Sequence, residues 1–394
     1  MFPLLTFCVV AAAATSSRVT ISNSEPRLDT QNNVVDAHNG NIVFVNGTYY
    51  LYGEYYGDAN FAVTGSTSLP KLSVYTSTSL TSGSWSFRGL LHNNTSPGWA
   101  SSSKWPWSPA GAWYSPSAVY SEAQKKFILY WSASQAECCT ASWGVAKSDD
   151  GVHFDLVTME GKSSLGSDVS IDGSSLLIDD DGVGYVAYAT ERRIPGEKDH
   201  VVVIDRLSPD LLSSAGERMT VFPDYFVEGA MLFKRGDMYY TLYSSCCCAC
   251  RQGSGAVVFS STNIRGPWRR QPRDVNCKAT GVKTCAGMPS EQGEKVRPTG
   301  MLTIAAQGIA LSVLRDSSGE DVFLWQGMRW LSGENNPKKC MTLCTAPTGV
   351  CKQDSNYHTG ADFDYWVPLE FDEQGQIMQF ADFVENFTLA LPSA

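Results

Sequence analysis

Charge is scarce in this chain. Only 18% of its 394 residues are Asp, Glu, Lys or Arg, against roughly 25% in soluble domains. What charge there is leans acidic: 40 Asp and Glu face 30 Lys and Arg, a net of −10. The basic footprint that draws nucleic acid is missing, and so is the positive charge that attracts an anionic membrane. No apolar run reaches the roughly 18 residues of a membrane span. Helical periodicity is nearly absent, with Leu207 to Glu217 as its one weak trace. No Gly/Ser- or Pro-rich linker divides the chain, so residues 25–392 read as one domain, and the protein as a monomer.

Aromatics, by contrast, are abundant: 17 Phe, 17 Tyr and 11 Trp. A low-charge, aromatic-rich chain can bury a large core, which excludes global disorder. The N-terminus reads as a signal peptide over residues 1–16. Leu4 to Ala14 form an apolar run ending in small residues, then Thr15-Ser16-Ser17, although no Lys or Arg marks its start. The expected location is extracellular. Acceptor sequons for N-glycans begin at Asn46, Asn93, Asn94 and Asn386.

Twelve cysteines are present, and loss of Cys8 with the signal would leave an odd number. Outside the cell most would pair as disulfides, with a connectivity that sequence cannot give. The alternative is zinc on Cys247, Cys250, Cys340 and Cys344. Secretion disfavours thiolate ligands, so neither a metal nor a cofactor is called for.

One pattern recurs five times. Ile42–Val45 runs through Asn46-Gly47 into Thr48–Tyr52. Ala118–Tyr120 turns into Phe127–Tyr130. Ser175–Ile178 turns through Asp179–Gly182 into Tyr185–Tyr188. Ala230–Phe233 turns at Arg235-Gly236-Asp237 into Tyr239–Tyr243, and Leu311–Leu314 turns at Ser317-Ser318-Gly319 into Val322–Trp325. Alternation and turn chemistry make each a β-hairpin. They recur every 55 to 82 residues, the spacing of four-stranded propeller blades with insertions. The expectation is an all-β, five-bladed β-propeller, with a large β-sandwich as the alternative. Trp366–Phe371 should supply an outer strand near ring closure.

A propeller converges its inner-strand starts on one central funnel. Asp36-Ala37-His38 precedes the first hairpin, Asp172 the third, Glu228 the fourth and Gln307 the fifth. Asp172 and Glu228 thus hold equivalent places on consecutive blades. Two carboxylates facing one funnel can divide the work of glycosidic cleavage, one kept protonated as acid beside the charge of the other. The plainer reading makes them turn or cap carboxylates. Trp99, Trp105, Trp107 and Trp113 lie in an insertion before the second hairpin. Their faces could stack on sugar rings, with Trp107 as the subsite wall, or they could pin the loop by packing.

These stretches resemble glycoside hydrolase family 43, and within it the branch of exo-β-1,3-galactanases. The resemblance runs over residues 34–390. It rests on Asp36–Gly40 with Asn46–Glu54, on Ile171-Asp172 with Asp179–Gly182, and on Val227–Lys234, Thr303–Gln307 and Trp366–Asp372. It implies a five-bladed propeller that hydrolyses galactose- or arabinose-containing polysaccharide, with inversion. It matches Glu228 to the general acid, Asp172 to the carboxylate that tunes it, and Glu54 to a sugar-contacting position. The family's usual base falls near His38, where no Asp stands; Asp36 lies two residues earlier on the same side of the strand. In the galactanase branch a Gln faces the attacking water, and Gln307 matches it. Water held there should lie across the sugar from the acid, with Gln307 and Glu228 well apart. Where that branch carries an acidic residue, then Arg-Pro, this chain has Tyr114-Ser115-Pro116. That change puts a tyrosine at a sugar-binding place and questions galactan specificity. The other readings are a carbohydrate-binding propeller without catalysis and, last, a protein-interaction propeller.

Overall fold

The computed structural model describes residues 16–57, 70–93, 112–134, 141–166, 169–191, 200–224, 227–245, 253–278, 302–332 and 358–392. Strand β1 (Ser16–Ser22) precedes the first blade, which is β2 (Ile42–Val45), β3 (Thr48–Tyr55), β4 (Lys71–Ser77) and β5 (Ser86–Leu90). The second blade is β6 (Ala112–Ser121), β7 (Lys126–Ser134), β8 (Ala141–Ser148) and β9 (Asp155–Gly161). The third is β10 (Asp172–Ile178), β11 (Gly184–Glu191), β12 (His200–Leu207) and β13 (Ser214–Asp224). The fourth is β14 (Val227–Arg235), β15 (Met238–Ser245), β16 (Gly255–Ser261) and β17 (Arg269–Arg270). Among the described residues the fifth has three strands, β18 (Gln307–Arg315), β19 (Asp321–Arg329) and β20 (Phe363–Pro368). All five hairpins read from the sequence form the inner two strands of the blades, and no α-helix occurs among the described residues. The weak helical trace at Leu207–Glu217 is instead the end of β12, the turn and the start of β13. Its apolar spacing comes from Leu207 and Leu211, which fold back into the core between blades two and three.

Local chemistry explains the hairpins. The β2–β3 turn needs left-handed backbone at both central positions, which Asn46 (φ 50°) and Gly47 (φ 78°) supply. Blade faces are lined with large rings that pack between neighbours. Trp113, Trp131, Tyr52 and Phe154 fill the space between blades one and two, and Phe233, Tyr240, Phe323 and Trp325 that between four and five.

Polar side chains tie each blade to the next. Asn41 Nδ2 donates to Ala118 O (2.9 Å) and its Oδ1 accepts from Ala118 N (2.8 Å), joining blades one and two. Ser117 Oγ accepts from Leu176 N at 3.0 Å, and Ser175 Oγ from Leu232 N at 2.9 Å. Ser244 Oγ donates to Gly308 O. Ser312 Oγ accepts from Ile42 N at 2.7 Å, which returns the sequence of bonds to blade one.

The ring closes between blades five and one. β21 (Asn386–Pro392) pairs antiparallel with β1. The ribbon's Val19, Ile21, Leu389 and Leu391 pack among Ile42, Tyr49 and Leu51 of blade one and Leu314, Leu324 and Trp366 of blade five. Asn23, fully buried, fixes the join: its Nδ2 donates to Trp366 O and Val384 O, and its Oδ1 accepts from Trp366 N. Trp366–Pro368 ends the outer strand of blade five, as read from the sequence.

Candidate active site

In blades two to five the inner strand breaks its register within its first few residues. The shift lies between Tyr114 and Ser117 in blade two, Asp172 and Ser175 in three, Glu228 and Met231 in four, and Gly308 and Ala310 in five. A bulge of this kind re-aims the side chain before it. The next residue turns left-handed in four blades: Asn39 (φ 55°), Ser115 (φ 48°), Gly173 (φ 69°) and Gly229 (φ 61°). So His38, Tyr114, Asp172, Glu228 and Gln307 occupy one structural position in five blades. They pair with Glu54, Ser132, Ala189, Ser244 and Met328 respectively. The inner strands that carry these residues meet one another around the ring's centre. Asp172, Glu228 and Tyr114 are half-buried there.

Gln307, 1% exposed, is held from both ends. Trp330 Nε1 donates to its Oε1 at 2.7 Å, which fixes the amide orientation, and its Nε2 donates to Glu228 Oε2 at 2.7 Å. The wide separation expected between Gln307 and the acid is therefore not found: the two are in direct contact. One carboxyl oxygen of Glu228 thus accepts from the Gln307 amide.

From Trp330 the site wall runs on to blade one. Tyr56 meets Trp330 edge to face (6.1 Å) and His38 at 5.7 Å, and its hydroxyl donates to Glu54 Oε2. Glu54, 1% exposed, also accepts from Asn39 Nδ2 (3.1 Å) and from Ser115 N (2.7 Å). It is a fully hydrogen-bonded group rather than a solvated strand end, and it clamps the left-handed backbone beside Tyr114. Burial pushes its carboxyl up to about 7, against the opposing pull of these three donors and of the His38 charge.

His38 lies at the floor, 1% exposed. Its Nε2 is 3.2 Å from Asp36 Oδ1 and its Nδ1 is 3.6 Å from Asp364 Oδ1. Burial alone would lower its pKa, but the neighbouring carboxylates of Asp36 and Asp364 reverse this and push it up to about 10. An imidazolium held so firmly cannot take a proton from water at neutral pH. Asp36 is also committed: its Oδ1 accepts from Tyr56 N (3.0 Å) and its Oδ2 from Gly57 N (2.7 Å). Arg27 lies beneath, its guanidinium 3.5 Å from the centre of Trp366 and its Nη1 donating to Asp364 O at 2.6 Å. Burial draws that guanidinium down to about 9, with Asp364 opposing.

Sequence reading missed Trp330, Tyr56 and Asp364. Trp330 and Tyr56 each lie one residue past the second strand of a blade, so their equivalent placement was a usable signal. Asp364 reaches His38 only through ring closure. Trp113, from the Trp-rich insertion, takes the packing role: it is 1% exposed, 5.5 Å from the Trp131 ring. Trp99, Trp105 and Trp107 lie outside the described residues, as do the signal segment and every cysteine except Cys277. Cys277 is buried and disulfide-bonded. Among the described residues no group of His, Cys, Asp and Glu could hold a metal ion.

The family model for glycosyl hydrolases family 43 matches residues 30–286. A β-D-galactofuranosidase from Aspergillus niger is 26% identical over 166 residues, which are 41% of this chain and 44% of that relative. The chain thus matches less than half of that protein's length. The crystal structure of an exo-β-1,3-galactanase from Clostridium thermocellum superposes with a TM-score of 0.67 at 19% identity, covering 95% of this chain and 68% of the other. An exo-β-1,3-galactanase from Phanerochaete chrysosporium, solved with galactose, superposes at 0.62 and 18% identity, covering 92% and 66%. At these identities the structural likeness is one of fold.

Proposed function

The chain belongs to glycosyl hydrolases family 43, and from that premise we propose that it is a secreted glycoside hydrolase acting on galactose- or arabinose-containing polysaccharide. One observation carries the reading. Asp172 and Glu228 hold the same register position on adjacent blades, and the Gln307 amide anchors one oxygen of Glu228. The galactofuranosidase and galactanase relatives support galactose as the sugar.

Glu228 protonates the departing glycosidic oxygen with the carboxyl oxygen that Gln307 does not hold. Asp172 opposes loss of that proton, since a second negative charge nearby disfavours the carboxylate. Water, not Asp172, attacks the opposite face of the sugar, so the anomeric centre inverts. His38 and Asp36 take no proton in this scheme; they form the rigid charged floor on which the funnel stands. The apolar N-terminal run and the clustered cysteines support secretion with oxidised thiols.

The test combines leaving groups with stereochemistry. Glu228→Gln should lower hydrolysis of unactivated galactosides by about 10²–10⁴, the usual contribution of a general acid, and affect activated aryl glycosides far less. NMR of the first-formed product should show the inverted anomer. Retention would make Asp172 a nucleophile, and an unchanged rate in Glu228→Gln would remove the acid; either result overturns the scheme.

A further inference from the structure

A cavity opens on blade one, on the far side of Asp36 from His38. It has a volume of about 680 Å³ and is formed by the segment Asp29–Val34, the end of β3, β5 and Gly360. Successive strand residues face opposite ways. Glu54 therefore points toward blade two and the funnel, and Tyr55 points into this cavity. Tyr55 and Phe87 stack with centroids 6.2 Å apart and planes 23° from parallel, and Tyr75 backs Phe87 at 5.1 Å. Phe87 is 45% exposed, the only large aromatic so open among the described residues. With Tyr55 beside it and Tyr75 packed against it, the exposed Phe87 ring forms an aromatic platform.

The polar lining narrows what the occupant can be. Asp29 and Asp36 are buried, and their carboxylates are engaged within the protein. Asp29 accepts from the backbone N–H groups of Gln31 and Asn33, each at 2.8 Å, and Asp36 from Tyr56 and Gly57. Neither asks for a cation, and no Lys or Arg lines the cavity to ask for an anion. What faces solvent around the platform is uncharged: Thr30, Gln31 and Asn33. An aromatic face for apolar C–H groups, ringed by amide and hydroxyl groups for hydroxyls, matches a neutral sugar ring.

We propose that this cavity is a second carbohydrate subsite, taking a neutral sugar unit of the polysaccharide whose cleaved end lies in the funnel. Asp36 is the wall between the two. Its Oδ2 side faces Gly57 and the cavity, and its Oδ1 side faces His38 and Tyr56. One chain crossing this short partition would gain from both sites, since the second contact is made at high effective concentration.

Binding is read on the full chain carrying Glu228→Gln, by retardation in native gels containing soluble arabinogalactan and by titration with β-1,3-galactotriose. Because no turnover is needed, a failure of hydrolysis by the wild-type chain leaves this test standing. Adding Phe87→Ala should weaken arabinogalactan retardation at least fivefold, while Phe87→Trp should restore it. Phe87 is half-exposed on an edge strand, so a thermal midpoint within a few degrees of the parent should accompany both. Equal retardation with and without the Phe87 ring, or no recovery with Trp, would overturn the subsite.

Discussion

At the scale of single residues, the hydrogen bond from Gln307 to Glu228 changes what Gln307 is expected to do. Had it held the attacking water, its loss would slow every substrate alike. Acting through the acid, Gln307→Ala should cost most on poor leaving groups and little on activated aryl glycosides, a weaker copy of Glu228→Gln. A plot of log kcat against leaving-group pKa decides, and a uniform drop would return Gln307 to the water. His38 carries a second prediction. Its folded pKa, about 10, stands above its ordinary value of 6.5, so its contribution to stability is complete below pH 6.5 and lost as pH rises toward 10. His38→Ala leaves Asp36 and Asp364 with no cation between them and should cost about 3–5 kcal/mol at pH 6. The deficit should shrink in urea melts taken toward pH 10. Asp172, Glu228 and Gln307 could be singled out in the sequence because each stands shortly before a hairpin. The bond between Gln307 and Glu228 was not, since it depends on the twist between two blades.

At the scale of elements, the register shifts matter more than the strands they interrupt. A Cβ on Gly229 would lie 2.7 Å from Gly308 O and 2.9 Å from Ile309 Cα, on backbone already left-handed. Gly229→Ala must push blade five away from the residue that follows Glu228. It should cost about 1–3 kcal/mol from overpacking, and it should reduce activity beyond that loss by moving Glu228. Gly173→Ala is the milder companion: its Cβ would meet nothing nearer than Gly229 at 3.5 Å. Urea midpoints and kcat for the two variants should separate in that order. Hairpins were readable because alternation and Asn-Gly or Asp-Gly turns are local signals. The bulges were foreshadowed only by Gly173, Gly229 and Gly308 following each site residue. Asn39 and Ser115 do the same work without glycine, Ser115 with its N–H bonded to Glu54. The segment Leu207–Glu217 misled for the converse reason: Leu207 and Leu211 are buried by a turn that happens to space them like a helix.

At the scale of the molecule, blade number followed from counting hairpins, but closure did not. Nothing local marks Ser16–Ser22 and Asn386–Pro392 as partners, because their pairing exists only once the ring has formed. Asn23→Ala would strip three hydrogen bonds from that join and leave Trp366 N and O without their partner. With buried unsatisfied groups costing about 1–3 kcal/mol each, destabilisation on the order of 3 kcal/mol is expected in thermal or urea melts. The polar ties of Asn41, Ser117, Ser175, Ser244 and Ser312 extend the same reasoning around the circle. Together they work as a hoop around a cask: tension is shared, and no stave is an end. A hoop cut once has already slackened, so a second cut elsewhere finds less to release. Ser117→Ala and Ser312→Ala, at different joins of the ring, should therefore destabilise together by less than the sum of their separate effects. Distant sites in an open chain of blades would simply add.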